Sequence, residues 1–281
     1  MAASTYQSPW VRTIDLAQQW RRIRAWGRQP QRLRRLLAAY RTLLAAAPAS
    51  IAYAFTLFVT WWTLRGTSDA FDRRLILSAS TNLRNLQHDP IQVLVASAFW
   101  TEGGFPWSEI LILLTFMALA ERWLGSLRWI LVVASGHICA TLIVAVGIAH
   151  KVDKHLIPLR VTVAADVGPS YGISAMLAAL AFRLRGPARW IWAAGLLLFY
   201  GAALWQGRTF TDYGHFFAVL IGFLIGGAAV VVSRRVLPLL RRSAPDRIGG
   251  RAGVDDGLVP LEEPDGGLDQ ARGDRPEHRH H

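Results

Sequence analysis

The sequence predicts an all-α membrane protein that crosses the bilayer six times. Three observations predict it. Of 281 residues, 52% are apolar. Those residues fall in long unbroken blocks, not in the periodic stripes of a soluble core. Basic residues gather in alternate connections between the blocks. Uncharged runs near 20 residues suffice to cross roughly 30 Å of hydrocarbon at about 1.5 Å per residue. The spans are read at roughly 47–64, 107–120, 127–149, 168–184, 189–206 and 213–233. The second is short and carries Glu109 near its start.

Charge sets the expected orientation. Residues 1–45 hold nine Arg against one Asp. The connection at 183–189 carries Arg183, Arg185 and Arg189 without an acid, and Arg234, Arg235, Arg241 and Arg242 follow the last span. The opposite set is nearly balanced: three Arg and four acids in 66–106, three basic residues and two Asp in 150–166. Both termini are therefore expected in the cytoplasm, with the chain in the plasma membrane as a multi-pass protein. The net charge of +12 follows this pattern, so it points to a membrane surface and not to nucleic acid.

The first region, 1–45, precedes the apolar blocks without a cleavage site and does not read as a secretory signal. Trp10, Ile14, Ile23, Trp26, Leu33, Leu36, Leu37 and Tyr40 are interleaved with Arg. They suggest amphipathic helices lying on an anionic leaflet, broken at Pro30, with anionic lipid as the partner. The membrane domain covers 46–242. Its longest outer connection, 66–106, contains "RRLILSAS" and "PIQVLVASAFW", too short to span but apolar enough to rest in the interface. Residues 243–281 hold seven Gly, four Pro and nine acids against five Arg, the composition of a disordered tail. The single cysteine, Cys139, lies inside an apolar run and is expected as a small buried residue. No metal or organic cofactor is suggested.

Polar groups inside a bilayer are costly and invite a functional reading. Glu121-Arg122, His137, Ser170 and His215 qualify. His137 is expected mid-membrane in the third span, as a packed, hydrogen-bonded residue in preference to a proton relay. Ser170 lies four residues past Asp166, about 6 Å below the outer boundary at helical rise. His215 lies three residues past Asp212 on a span running the same way, so both residues reach one depth near one face. A serine hydroxyl becomes a nucleophile when a base takes its proton, and imidazole suits that task near neutral pH. Gly168 and Gly172 flank the serine. Ala218, Gly222 and Gly226 follow the histidine at four-residue spacing, a flat stripe for helix contact. From these residues alone two readings stand: a Ser170–His215 dyad, or small residues that pack helices.

At these positions the chain resembles the rhomboid family of intramembrane serine proteases and their pseudoenzyme relatives. Gly168-Pro169-Ser170-Tyr171 is similar to the family's Gly-x-Ser-Gly motif at the start of the fourth core helix. His215, Ala218 and Gly222 are similar to the His-x-x-Gly-x-x-x-Gly pattern opening the sixth. "AERWLG", with Glu121, Arg122, Leu124 and Gly125, is similar to the end of the second, and "VLVASAFWTEGGF" to the stretch entering it. The resemblance covers roughly 47–235. It implies a six-helix rhomboid-like bundle, with Ser170 as nucleophile and His215 as general base. It also implies that Glu121 and Arg122 hold neighbouring structure through ion-pair and backbone hydrogen bonds.

The departures bear on activity. Family proteases carry His-x-x-x-Asn on the second core helix to hold the oxyanion, whereas this chain has Phe105-Pro106-Trp107-Ser108-Glu109-Ile110-Leu111. Losing one oxyanion donor costs roughly 100- to 1000-fold in rate, and an ionised Glu109 would repel the developing charge. Tyr171 replaces the glycine after the serine, and Ala218 replaces another glycine. Two functions are carried forward. The first, toward which the intact Ser and His lean, is an intramembrane serine endopeptidase cleaving transmembrane segments near their outer ends. The alternative is an inactive relative that binds transmembrane helices and affects their folding or trafficking. A transporter is disfavoured, because paired midplane acids or amides and broken helices in repeated halves are not evident.

Overall fold

The computed structural model describes residues 8–27 and 32–236. Among them all regular structure is helical, with one isolated parallel bridge between Ile14 and Leu184 in place of any strand. The expected break at Pro30 and the expected disordered tail at 243–281 lie outside the described residues.

Two helices occupy the basic region, α1 (Leu16–Gly27) and α2 (Arg32–Ala45). Their apolar side chains Trp20, Ile23, Leu33, Leu36 and Leu37 are exposed. Trp10 and Ile14 depart from the expected leaflet-lying helix. Residues Pro9–Val11 form a single tight turn. Trp10 is only 6% exposed and meets Trp123 edge to face at 5.1 Å. Trp123 Nε1 donates to the Pro9 carbonyl at 2.7 Å, the hydroxyls of Ser8 and Ser233 are 2.8 Å apart, and Ile14 N–H donates to Arg183 at 2.8 Å. A tryptophan with a bonded neighbour and a full apolar contact gains more inside the bundle than on a headgroup layer.

The first apolar block is α3 (Pro48–Leu64), with proline in its first turn, where no donor is lost. It follows α2 across an 88° bend. The long connection folds into α4 (Asp69–Ala79), α5 (Leu83–His88) and α6 (Pro90–Ser97), the first two capped by the Ser68 and Asn82 side chains. Next come α7 (Trp107–Ile112), a wider π-wound stretch (Leu113–Met117) and α8 (Ala118–Leu124). Gly125, at φ +82°, turns the chain into α9 (Ser126–Asp153). Then follow α10 (Ser170–Ala179), α11 (Pro187–Gly207) and α12 (Phe210–Val231).

A helix thus stands in each of the six expected places, but three are long and apolar enough to cross a membrane: 126–153, 187–207 and 210–235. The bent pair 33–45 and 48–64 makes a fourth if taken as one span. The π-wound stretch divides the second expected span, and α10 with its tight four-residue continuation to Arg183 is short. Ten helical residues rise about 15 Å. Cys139 is exposed on α9, against the expectation that it is buried.

The bundle is closed at two places. In the first, α10 touches α9 and α12 with almost no side chain between. A Cβ at Gly172 would lie 2.7 Å from Val133 Cγ1 and 3.0 Å from its carbonyl oxygen, and one at Gly136 would overlap Ala175. Gly222 and Gly226 press on α10 and its continuation, where a Cβ would overlap the Ala175 carbonyl or meet the Phe182 ring. Ala218 is fully buried. The second is Glu121, also fully buried. Its carboxylate accepts from Ala49 N–H at 2.9 Å, Ser50 N–H and Oγ at 2.7 Å each, and Ser126 Oγ at 2.6 Å. It thereby caps the start of α3 with a negative charge where the helix dipole favours one. Arg122, to which the resemblance gave a share in holding neighbouring structure, is exposed.

Glu121→Ala strands four donors, and hydrogen bonds to a charged group are worth about 1.5–3 kcal/mol each. We expect it to lower stability in detergent by about 3 kcal/mol, with Arg122→Ala within about 0.5 kcal/mol of wild type. Thermal unfolding of both variants checks this. Equal losses would place the stabilisation elsewhere than on the carboxylate.

Candidate active site

Ser170 opens α10 after a turn that the sequence dictates locally. Gly168 has φ +127°, a conformation that a side chain strains, and its N–H donates to the Ser97 carbonyl at 2.7 Å. Pro169 is fully buried and fixes the entry to the helix. Ser170 is partly exposed. A Cβ built on Gly168 would stand 3.9 Å from Ser170 Oγ and 4.0 Å from the Trp100 carbonyl.

His215 lies in the second turn of α12, which starts from a capping box: Thr209 Oγ1 accepts from Asp212 N–H at 3.2 Å, and Asp212 accepts from Thr209 N–H at 2.9 Å. α10 and α12 run side by side in the same direction, Gly214 against Tyr171 and Gly222 against Ala175. Ser170 and His215 therefore share one end of the bundle, yet no hydrogen bond joins their side chains. His215 lies one turn after Thr211 on α12 and is partly buried. It stands between two tyrosines, edge-on to Tyr171 with centroids 5.0 Å apart and tilted over Tyr200 at 5.9 Å.

Tyr171, which departs from the family glycine, shapes this end. Its ring fills the space left by Gly214, and its hydroxyl donates to the Asp166 carboxylate at 3.1 Å. Asp166 gathers three segments. Its carbonyl accepts from Thr81 N–H at 3.0 Å, its carboxylate from Thr81 Oγ1 at 3.1 Å, and its N–H donates to Ser80 Oγ. Tyr200 is held by Ser174, whose Oγ donates to it at 2.8 Å.

Sequence reasoning did not single out Ser97, Asp166, Ser174 or Tyr200 as site residues, because their partners His137, Thr81 and one another lie 26 to 85 residues away. The Ser–His hydrogen bond that does exist is another one. His137 Nε2 lies 3.1 Å from Ser97 Oγ and 3.2 Å from the Leu94 carbonyl, while His137 Nδ1 and Thr141 Oγ1 have no protein partner. Since the carbonyl needs a donor, Nε2 carries the proton and His137 is no base toward Ser97. Glu109 accepts from its neighbour Ser108 at 2.8 Å. Among the described residues no three His, Cys, Asp or Glu side chains are placed to hold a metal.

A sequence model of the family described as rhomboid-like protein matches residues 42–235, well over half the chain. The chain belongs to the rhomboid-like family. No curated protein and no solved structure matches it. In this rhomboid-like chain Ser170 and His215 sit on neighbouring helices at one end, and Tyr171 occupies the ground beside them.

Gly222→Ala is expected to push α12 off Ala175 and to cost about 1–3 kcal/mol. Gly227→Ala, whose Cβ would meet Phe182 at an ordinary 3.6 Å, should be tolerated. Detergent unfolding curves that coincide for the two variants would show that the stripe bears no weight.

Burial pushes the Asp166 carboxyl up from 3.8 to about 6, against hydrogen bonds from Thr81 and Tyr171 that pull it down. Between those values the folded protein holds a proton that the unfolded chain has released. Stability from this group is thus full below 3.8 and is lost as pH rises through about 6. The melting temperature should fall across that window in wild type and fall less in Asp166→Asn. Parallel slopes would assign the titration to another group.

Proposed function

We propose that this rhomboid-like membrane protein binds transmembrane helices without cleaving them, influencing their folding or trafficking. One observation carries the reading: the His215 ring is flanked by Tyr171 and Tyr200, and no hydrogen bond joins it to Ser170. A serine without a base to take its proton is a poor nucleophile. The missing His/Asn pair on the second core helix removes oxyanion donors as well, and each such donor is worth roughly 100- to 1000-fold in rate. In this reading the two shorter helical segments, 107–124 and 170–183, complete a six-span bundle in the plasma membrane. Both termini are cytoplasmic, the clients are transmembrane segments, and α1 and α2 rest on anionic lipid.

The second reading, an intramembrane serine endopeptidase, is favoured by the free hydroxyl of Ser170 at the end that also carries His215. Fluorophosphonates separate the two, because they label a serine whose proton a neutral imidazole removes as the bond forms. The purified protein is expected to remain unlabelled from about pH 5 to 9, a range that spans histidine titration, while crosslinking to a transmembrane peptide in liposomes. Labelling that rises above about pH 6.5 and is lost in Ser170→Ala and His215→Ala would establish the protease instead. Absence of crosslinking would remove the binding reading.

A further inference from the structure

A groove away from Ser170 and His215 runs between α9, α12 and the connection before α10. Its volume is about 420 Å³, within the roughly 300–1,000 Å³ of sites that hold small molecules. Ile143, Val144 and Ile148 of α9 and Phe217 of α12 give it an apolar wall, and Gly147 leaves room along it. At the end where α9 and α11 stop, two exposed cations line the same groove, Lys151 and Arg208.

Neither cation is in an ion pair with an acid among the described residues. Lys151 Nζ lies 5.3 Å from the centre of the Tyr213 ring, and the Arg208 guanidinium 5.1 Å from that of Trp205. A ring face holds a cation in place and leaves its N–H donors unspent. The acid on the adjoining helix, Asp212, is committed to its capping box with Thr209. Two positive groups with free donors therefore stand at one end of an apolar slot, at the depth where a spanning helix ends. An apolar solute would leave the cations unanswered, and a free anion would leave the slot unfilled. One ligand class answers both: an acidic headgroup continued by a hydrocarbon chain.

We propose that this groove binds one anionic phospholipid, its phosphate between Lys151 and Arg208 and an acyl chain along Ile143, Val144 and Phe217. This rests on neither reading of the Ser170 end. It is also separate from any general attraction of lipid to the basic N-terminal helices, which the variants below leave intact.

The test is native mass spectrometry and thermal unfolding of the full-length protein, delipidated and then titrated with phosphatidylglycerol, phosphatidylcholine or glycerol phosphate. Wild type is expected to keep one phosphatidylglycerol in preference to phosphatidylcholine and to melt at a higher temperature with it. Lys151→Gln combined with Arg208→Gln should bind phosphatidylglycerol roughly 30-fold more weakly. Gly147→Phe, which fills open space and not the core, should exclude both lipids and yet unfold as wild type does without lipid. Equal retention of the two lipids, or unchanged retention in the double variant, would overturn the proposal. So would stabilisation by glycerol phosphate alone, which would mark an anion site without a chain.

Discussion

The end of the bundle that carries Ser170 depends on one constraint, the contact of the α10 backbone with two neighbours at once. Lipid offers no hydrophobic drive between helices, so close van der Waals contact must hold them. Gly136 and Gly172 make it on the α9 side, Gly222 and Gly226 on the α12 side. A ten-residue helix has no length to spare for anchoring in a bilayer. It is held as a peg between longer helices, and the places of Ser170 and His215 follow from that grip.

The same grip explains how Tyr171 is accommodated. Where the family pattern has glycine, a bulky ring requires a matching absence, and Gly214 on α12 supplies it. Asp166 then fastens the hydroxyl, and through Ser80 and Thr81 it ties the long first connection to the same point. The change that weakens the case for catalysis is thus a well-fitted part of the packing.

Much of the fold was legible because its signals are local. Apolar blocks, alternating charge in the connections, and small residues at four-residue spacing all act within a few turns of chain. The six helical places could be read from these, but not their lengths, since the π-wound stretch at Leu113–Met117 and the brevity of α10 are set by neighbours. Glu121 was visible as a buried acid, but its donors Ala49 and Ser50 lie 72 and 71 residues away. Ser97 and His137, 40 residues apart, carried no spacing signal at all. Trp10 misled for a different reason: in sequence, a tryptophan among arginines looks the same whether it faces a leaflet or a protein.

The docking of the first residues has a consequence for the order in which the molecule is made. Ser8 bonds to Ser233 across 225 positions of sequence, and Ile14 waits for Arg183. At ribosomal speeds of about 5–20 residues per second, the earliest segment stays without its partners for on the order of 10–45 s. Residues 8–14 are therefore made long before these partners and dock only after them. The bond of Ser8 to Ser233 can form only once α12 has been made, so this contact records that both segments have docked.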